Sequence, residues 1–145
     1  MIEALALDLQ LGRTWACAIM RANLAGALLR AGRAQEAYGS LREHAAGILA
    51  FGDLELTIDV LELLASAFAL LGDPPRAAWL LGCAEALRDQ AGMPRAVPDE
   101  DLLAEFTREA RAAVSAAVWD EQYQAGRAVT PAEAVAAAVA AGPAG

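Results

Sequence analysis

The stretch from Leu64 to Leu87 constrains this chain more than any other, because two apolar helical patterns meet there at Gly72-Asp73-Pro74-Pro75. Glycine just past one helix, then Asp and Pro opening the next, occupy the positions those residues favour. The spacing predicts an antiparallel helical hairpin. The same pattern stands forty residues earlier, where Leu24, Ala25, Leu28, Gly32, Ala37 and Leu41 match Leu64, Ala65, Phe68, Gly72, Ala77 and Leu81. A fixed offset held through six positions is a repeat. Stacked hairpins bury a shared core and present a surface that holds partners.

At 145 residues the chain makes one domain, and a domain of this size buries about two thirds of its unfolded surface without help from disulfides or metal. Hydrophobic residues make up 57% of it but aromatics only 6%. Ala and Leu do most of the filling, and both favour helix and close helix packing, so the expected fold class is all-α. The net charge of −8 and the scattered arginines leave no cationic face for phosphate, which argues against nucleic acid as a partner. All 11 basic residues are Arg. That excludes a P-loop lysine, a Schiff-base lysine and a Ser-Lys dyad. Cys17 and Cys83 sit in apolar helical patterns and are expected to be buried thiols. No uncharged apolar run reaches the roughly 18 to 20 residues of a membrane span, and no charged leader opens the chain. The expectation is a cytoplasmic protein.

Met1 to Gln10 carries Ile2, Leu5 and Leu9 at helical spacing and suggests a short helix. Thr14 to Arg30 is apolar nearly all round, and a helix of that kind is expected to be enclosed by neighbours. The segment from Arg33 to Ala50 pairs an apolar stripe through Ala37, Leu41, Ala45 and Ile48 with a polar side holding Gln35, Arg42, Glu43 and His44. Asp53 is placed to cap a helix from Leu54 to Leu71. Its residues fall into two apolar stripes, expected to be buried, and a third of Glu55, Asp59, Glu62 and Ser66, expected to be exposed. The partner helix runs from Pro75 to Gln90 with Ala77, Leu81 and Ala84 inward.

Two prolines between Gly92 and Pro98 end the repeat. Asp99-Glu100-Asp101 then opens a helix expected to reach Val118 with Leu102, Phe106, Ala110, Ala113 and Ala117 on one face. The helix dipole accounts for those three acids, and no second ligand cluster accompanies them. Gly126 is expected to break the chain, Thr130-Pro131-Ala132-Glu133 to start a last helix ending at Ala141, and Gly142 to Gly145 to fray. The domain thus divides into repeat 1 (12–51), repeat 2 (52–92) and C-terminal capping helices (98–141).

Within each repeat the pattern Leu-Ala-x-x-Leu/Phe-x-x-x-Gly-x-x-x-x-Ala-x-x-x-Leu resembles the tetratricopeptide signature, with a period of 40 against the usual value of about 34. The longer period is similar to that of the helical repeat regions of bacterial LuxR-type and antibiotic-regulatory ATPase transcriptional regulators. Gly72 to Arg88, reading Gly-Asp-x-x-Arg-Ala-Ala-x-Leu-Leu-Gly-x-Ala-Glu-Ala-Leu-Arg, resembles a motif common near the C-terminal end of that family. Gly126-Arg127-Ala128, Thr130 and Glu133-Ala134-Val135 resemble its terminal helix, with Tyr123 where Trp is usual. The resemblance implies an α-solenoid of tetratricopeptide-like hairpins, the C-terminal part of a regulator whose nucleotide-binding and DNA-binding domains lie upstream. By the same analogy the inner helices line a concave groove holding Ile19, Ala22, Asn23, Gly26 and Arg30, then Asp59, Glu62 and Ser66.

The acidic stripe read from periodicity is the one the analogy points into that groove. It suits a basic or amide-rich peptide segment, with Asn23 hydrogen-bonding its backbone; an ordinary solvated helix face has the same pattern. His44 is the single histidine. On a polar helix face, without a nucleophile beside it in sequence, it nominates no catalytic set, and two Cys with one His fall short of a structural zinc site. Trp15, Trp79 and Trp119 read as packing residues. The expectation is therefore about seven helices forming a non-enzymatic binding or sensing module with no metal or cofactor. Its partner is a protein segment, or the ATPase core of the same polypeptide. The rivals are a small-molecule sensor lined by Trp15, Ile19, Ala22 and Leu29, and a structural homodimer.

Overall fold

A computed structural model describes residues 2–142 and places them in seven helices: α1 (Ile2–Arg30), α2 (Ala34–Ala50), α3 (Leu54–Leu70), α4 (Pro74–Ala91), α5 (Val97–Ala113), α6 (Ala116–Arg127) and α7 (Pro131–Ala141). No strand occurs among the described residues, and the fold is all-α. No described helix is long and apolar enough to cross a membrane.

The two repeat turns share one backbone pattern. Gly32 and Gly72 both adopt a left-handed conformation, at φ +77° and +85°. Behind them the Arg33 amide donates to Leu28 O at 2.8 Å and the Asp73 amide to Phe68 O at 2.9 Å, the same six-residue closure. The caps follow the sequence: Asp53 accepts from the Leu56 amide at 3.0 Å, Asp73 from Arg76 at 3.3 Å, and Thr130 from Glu133 at 3.2 Å.

Each helix packs on the next through α4, α3 touches both α1 and α5, and α7 lies against α2, α3 and α4. The core is centred on α3, where Val60, Leu61, Leu64, Ala65 and Phe68 are wholly buried. The Tyr38 hydroxyl donates to Ala138 O at 2.9 Å while its ring meets Phe68 edge-on at 5.4 Å, tying α7 to the centre. Contacts climb α1 and α3 together: Trp15 Nε1 donates to Asp53 at 3.3 Å, Gly26 lies against Leu63, and Arg30 shares a wall with Leu70. The two helices therefore run in the same direction. On the other flank of α3, Asp59 shares a hollow with Asp99 and Leu70 shares one with Phe106 and Glu109, so α5 follows the same direction.

The tightest contact joins α4 to α6. A Cβ on Gly82 would stand 2.0 Å from Tyr123 O, and one on Gly126 would stand 1.8 Å from Trp79 O. Each glycine admits the other helix's backbone, which no side chain would allow. Gly126 is thus a packing residue inside α6 and does not break the chain.

Other expectations are corrected. The first ten residues do not form a separate helix, because α1 continues through Gly12, whose cost of about 1 kcal/mol in a helix interior does not end one. The Ile2 and Leu5 side chains lie outside the described set, as do residues 143–145 of the expected frayed tail. Far from being enclosed, α1 has neighbours on one side only, so Ala18, Ala22, Ala25 and Leu29 are buried while Met20 is 67% and Leu24 53% exposed. Cys17 and Trp15 are exposed for the same reason. Leu54 and Leu70, at the two ends of α3, are exposed as well. The helix expected from Asp99 to Val118 begins two residues earlier and is split at Val114 and Ser115, where the Ser115 hydroxyl accepts from the Val118 amide at 3.1 Å and starts α6. Its inward residues are Leu103, Thr107 and Ala110, while Ala113 and Ala117 are exposed.

Candidate functional site

Between α1, α3 and α5 lies an open cavity of about 320 Å³. It brings together seven of the eight residues assigned from sequence: Ala22, Asn23, Gly26 and Arg30 on α1, with Asp59, Glu62 and Ser66 on α3. Residues four and seven apart on a helix share a face, and two helices running in the same direction bring those faces side by side. The eighth, Ile19, is half-buried against the core and does not line this cavity. Residues unassigned from sequence complete the wall: Leu63, Arg88, Asp99, Leu102, Leu103 and Phe106. The apolar i, i+4 pair Leu102 and Phe106 carried a signal for this position, but nothing local said that α5 would turn that edge toward α3.

The acidic stripe is not uniformly exposed. Ser66 is buried and its hydroxyl donates to Glu62 O at 2.9 Å. Glu62 is held in an ion network: Arg88 Nε donates to it at 2.6 Å and Arg95 Nε at 3.1 Å. Arg95, whose side chain is 3% exposed, also reaches Glu85 and Glu100, each at 2.8 Å. Burial alone would lower the Arg95 pKa; the hydrogen bonds to Glu62, Glu85 and Glu100 outweigh it and raise the value. Arg88 further donates to Met93 O at 3.1 Å. The connecting loop is thereby clasped to α3 and α4, and it fixes where α5 begins. A lone arginine between two prolines gave no sequence signal for this role.

Four polar groups of the cavity remain open. Among the described residues Asn23, Arg30, Asp59 and Asp99 make no side-chain hydrogen bond or ion pair. Asp59 keeps solvent contact at the rim, yet its pKa is raised from 3.8 to about 6. Loss of hydration against the wall is the main cause, Glu62 the next; Arg88 opposes them, and Glu55 and Asp99 add to the rise. The site thus offers an acid that resists carrying its charge uncompensated, an amide and a guanidinium, beside an apolar wall. Such a set can hold a polar ligand through hydrogen bonds and charge.

No family model matches the chain, and no curated protein or solved structure matches it.

Elsewhere, His44 contacts Arg21 and lies 3.8 Å from Glu43, and the three line a shallow hollow with Cys17. Among the described residues no group of three or more His, Cys, Asp and Glu is placed to hold a metal ion. The four residues considered for a small-molecule pocket are not gathered in one place: Leu29 is in the core, Ala22 lines the cavity above, and Trp15 is bonded to Asp53 at the outer rim.

Proposed function

We propose that this chain is a non-catalytic binding module of the tetratricopeptide type, with the groove between α1, α3 and α5 as its binding surface. The observation that carries the proposal is the convergence of Asn23, Arg30 and Asp59, all unpaired, beside the apolar Leu63 and Phe106. A concave site with an apolar wall and a few open polar groups is the usual form of a recognition site. Asn23 supplies a donor and an acceptor for a peptide backbone. The matched turns at Gly32 and Gly72, and the common direction of α1, α3 and α5, support the repeat reading. The Gly72–Arg88 motif and its likeness to LuxR-type regulators support a place in such a regulator. Its mechanism there is to hold a protein segment, or the regulator's own ATPase core, more tightly in one arrangement than in another.

Gly26 provides the test. A Cβ there makes only ordinary contacts, 3.6 Å from Arg30 and 3.7 Å from Leu63, so the larger Gly26→Leu fills the groove by displacing the flexible Arg30 side chain, with an unchanged far-UV circular dichroism spectrum as the check that it folds. The proposal expects a partner purified with the native polypeptide to be lost on Gly26→Leu. Retention of that partner at unchanged affinity would remove it.

The exposed outer face of α1 favours a second reading, a homodimer. Leu9, Met20 and Leu24 are 62%, 67% and 53% exposed, and about a two-fold axis through Met20 the large Leu9 and Leu24 would face the small Ala31 and Ala16. Such self-complementarity suits an isologous contact. Solution mass against concentration, with Met20→Glu as the control, tests it.

A further inference from the structure

The central cavity is part of a longer trough. It shares Asp59, Arg88 and Asp99 with a hollow that continues to Glu55, and Arg30 and Phe106 with one that continues to Leu70. The trough therefore follows α3 from Glu55 to Leu70, and the helical rise makes it about 22 Å long. An extended chain advances about 3.3 Å per residue, so six or seven residues span the trough. A compact small molecule would occupy only its middle.

Charge divides the trough. Glu55, Asp59 and Asp99 gather at one end, where the nearest cation, Arg88, is already bonded to Glu62. The Arg30 guanidinium lies over Gly26, opposite Leu63 and one turn of α3 beyond Asp59. Further along, Arg33 is paired with Glu36, and Arg108 stands among Glu105 and Glu109. That far end is mixed in charge, and Phe106 supplies its apolar wall. One turn of helix, about 5.4 Å, is close to the two-residue repeat of an extended chain, about 6.6 Å, and residues at that spacing project the same way.

Resting on the groove reading above, we infer that the trough takes an extended peptide of about six residues whose alternate side chains run basic, acidic, apolar. The basic group meets Asp59 and Asp99, the acidic group meets Arg30, and the apolar one reaches Phe106. Charge complementarity and trough length select this occupant over a uniformly basic peptide, which would set a cation against Arg30.

The test is titration of the whole protein, followed by amide NMR shifts, with the capped hexapeptide Ala-Arg-Ala-Asp-Ala-Leu and its reverse. The neutral analogue Ala-Gln-Ala-Asn-Ala-Leu and the acidic Ala-Asp-Ala-Asp-Ala-Leu serve as comparisons. The expected result is that one charged order shifts amides along Asp59, Leu63 and Phe106 and binds about tenfold more tightly than either comparison. Asp59→Asn and Arg30→Gln should each reduce that preference severalfold without altering the spectrum elsewhere. Equal binding of the neutral and charged peptides would overturn the charge pattern and leave the groove reading standing. Absence of groove shifts with every peptide at millimolar concentration would overturn both.

Discussion

Replacing Gly82 or Gly126 by Ala probes the α4–α6 contact directly. In an open helix the change is favourable by about 1 kcal/mol, because glycine loses more backbone freedom on folding. At Gly82 the new methyl would lie 2.0 Å from Tyr123 O and 2.9 Å from Tyr123 C; at Gly126 it would lie 1.8 Å from Trp79 O and 2.6 Å from Trp79 C. These neighbours are backbone atoms of regular helices and have no rotamer to change. The two helices must part by more than an ångström. Overpacking of this kind costs about 1–3 kcal/mol, and parting also loosens the buried contacts of Ala78, Leu81 and Trp119, since even a small gap forfeits part of each dispersion well. After the propensity gain, a net loss of about 2 kcal/mol is expected for each variant, a fall in Tm of about 6 °C for a domain of this size. The double variant should lose less than the sum, because one methyl already opens the interface. Gly39 and Gly47 on α2 are the controls: a Cβ at either meets nothing within 4 Å, so Ala there should raise stability by about 0.5–1 kcal/mol. Thermal and denaturant unfolding followed by far-UV circular dichroism reads all four. If Gly82→Ala stabilises the protein as Gly47→Ala does, the backbone contact is refuted.

Arg95→Met leaves Glu85 without its cation and Glu62 with Arg88 alone, and should cost about 3 kcal/mol; adding Glu85→Gln should recover part of the loss in the same unfolding assay. Asp59 binds its proton more tightly folded, at about 6, than unfolded, at 3.8, so its contribution to stability declines as pH rises through that window. Asp59→Asn should therefore unfold at higher temperature than the parent at pH above about 7, with the advantage gone below the unfolded value; an equal gain at both ends of the range would exclude the linkage. Cys17 is exposed, whereas Cys83 is buried, donates to Val129 O at 3.6 Å and has its pKa raised to about 11, chiefly by burial and then by Glu133. A thiol reagent should label one cysteine at once and the other only on unfolding.

The hairpins were legible because their signals are local. Glycine past a helix, Asp before Pro, and apolar residues at helical spacing fixed α2, α3, α4 and α7 nearly to the residue. The likeness to tetratricopeptide repeats, not the residue spacing, put Ala22, Asn23, Gly26 and Arg30 in one groove with Asp59, Glu62 and Ser66; periodicity alone gave only the acidic stripe of α3, and these residues do line one cavity. What escaped depends on neighbours distant in sequence. Gly126 resembles a helix stop until Trp79 is seen against it, and Arg95 resembles a loop residue until three carboxylates close on it. Enclosure of α1 was inferred from its composition, but whether an apolar helix is covered depends on how many helices stack beyond it. Ser115 was the one local signal passed over, a cap hidden among alanines.

The central claim, that the trough along α3 is where this protein meets its partner, is tested most directly by a photoreactive amino acid placed in the native polypeptide in its own cell, at Asn23 and separately at exposed Ala112 on α5. Irradiation should give an adduct of defined mass from Asn23, abolished by Gly26→Leu, and none from Ala112. An adduct from Ala112 and none from Asn23 would contradict the account.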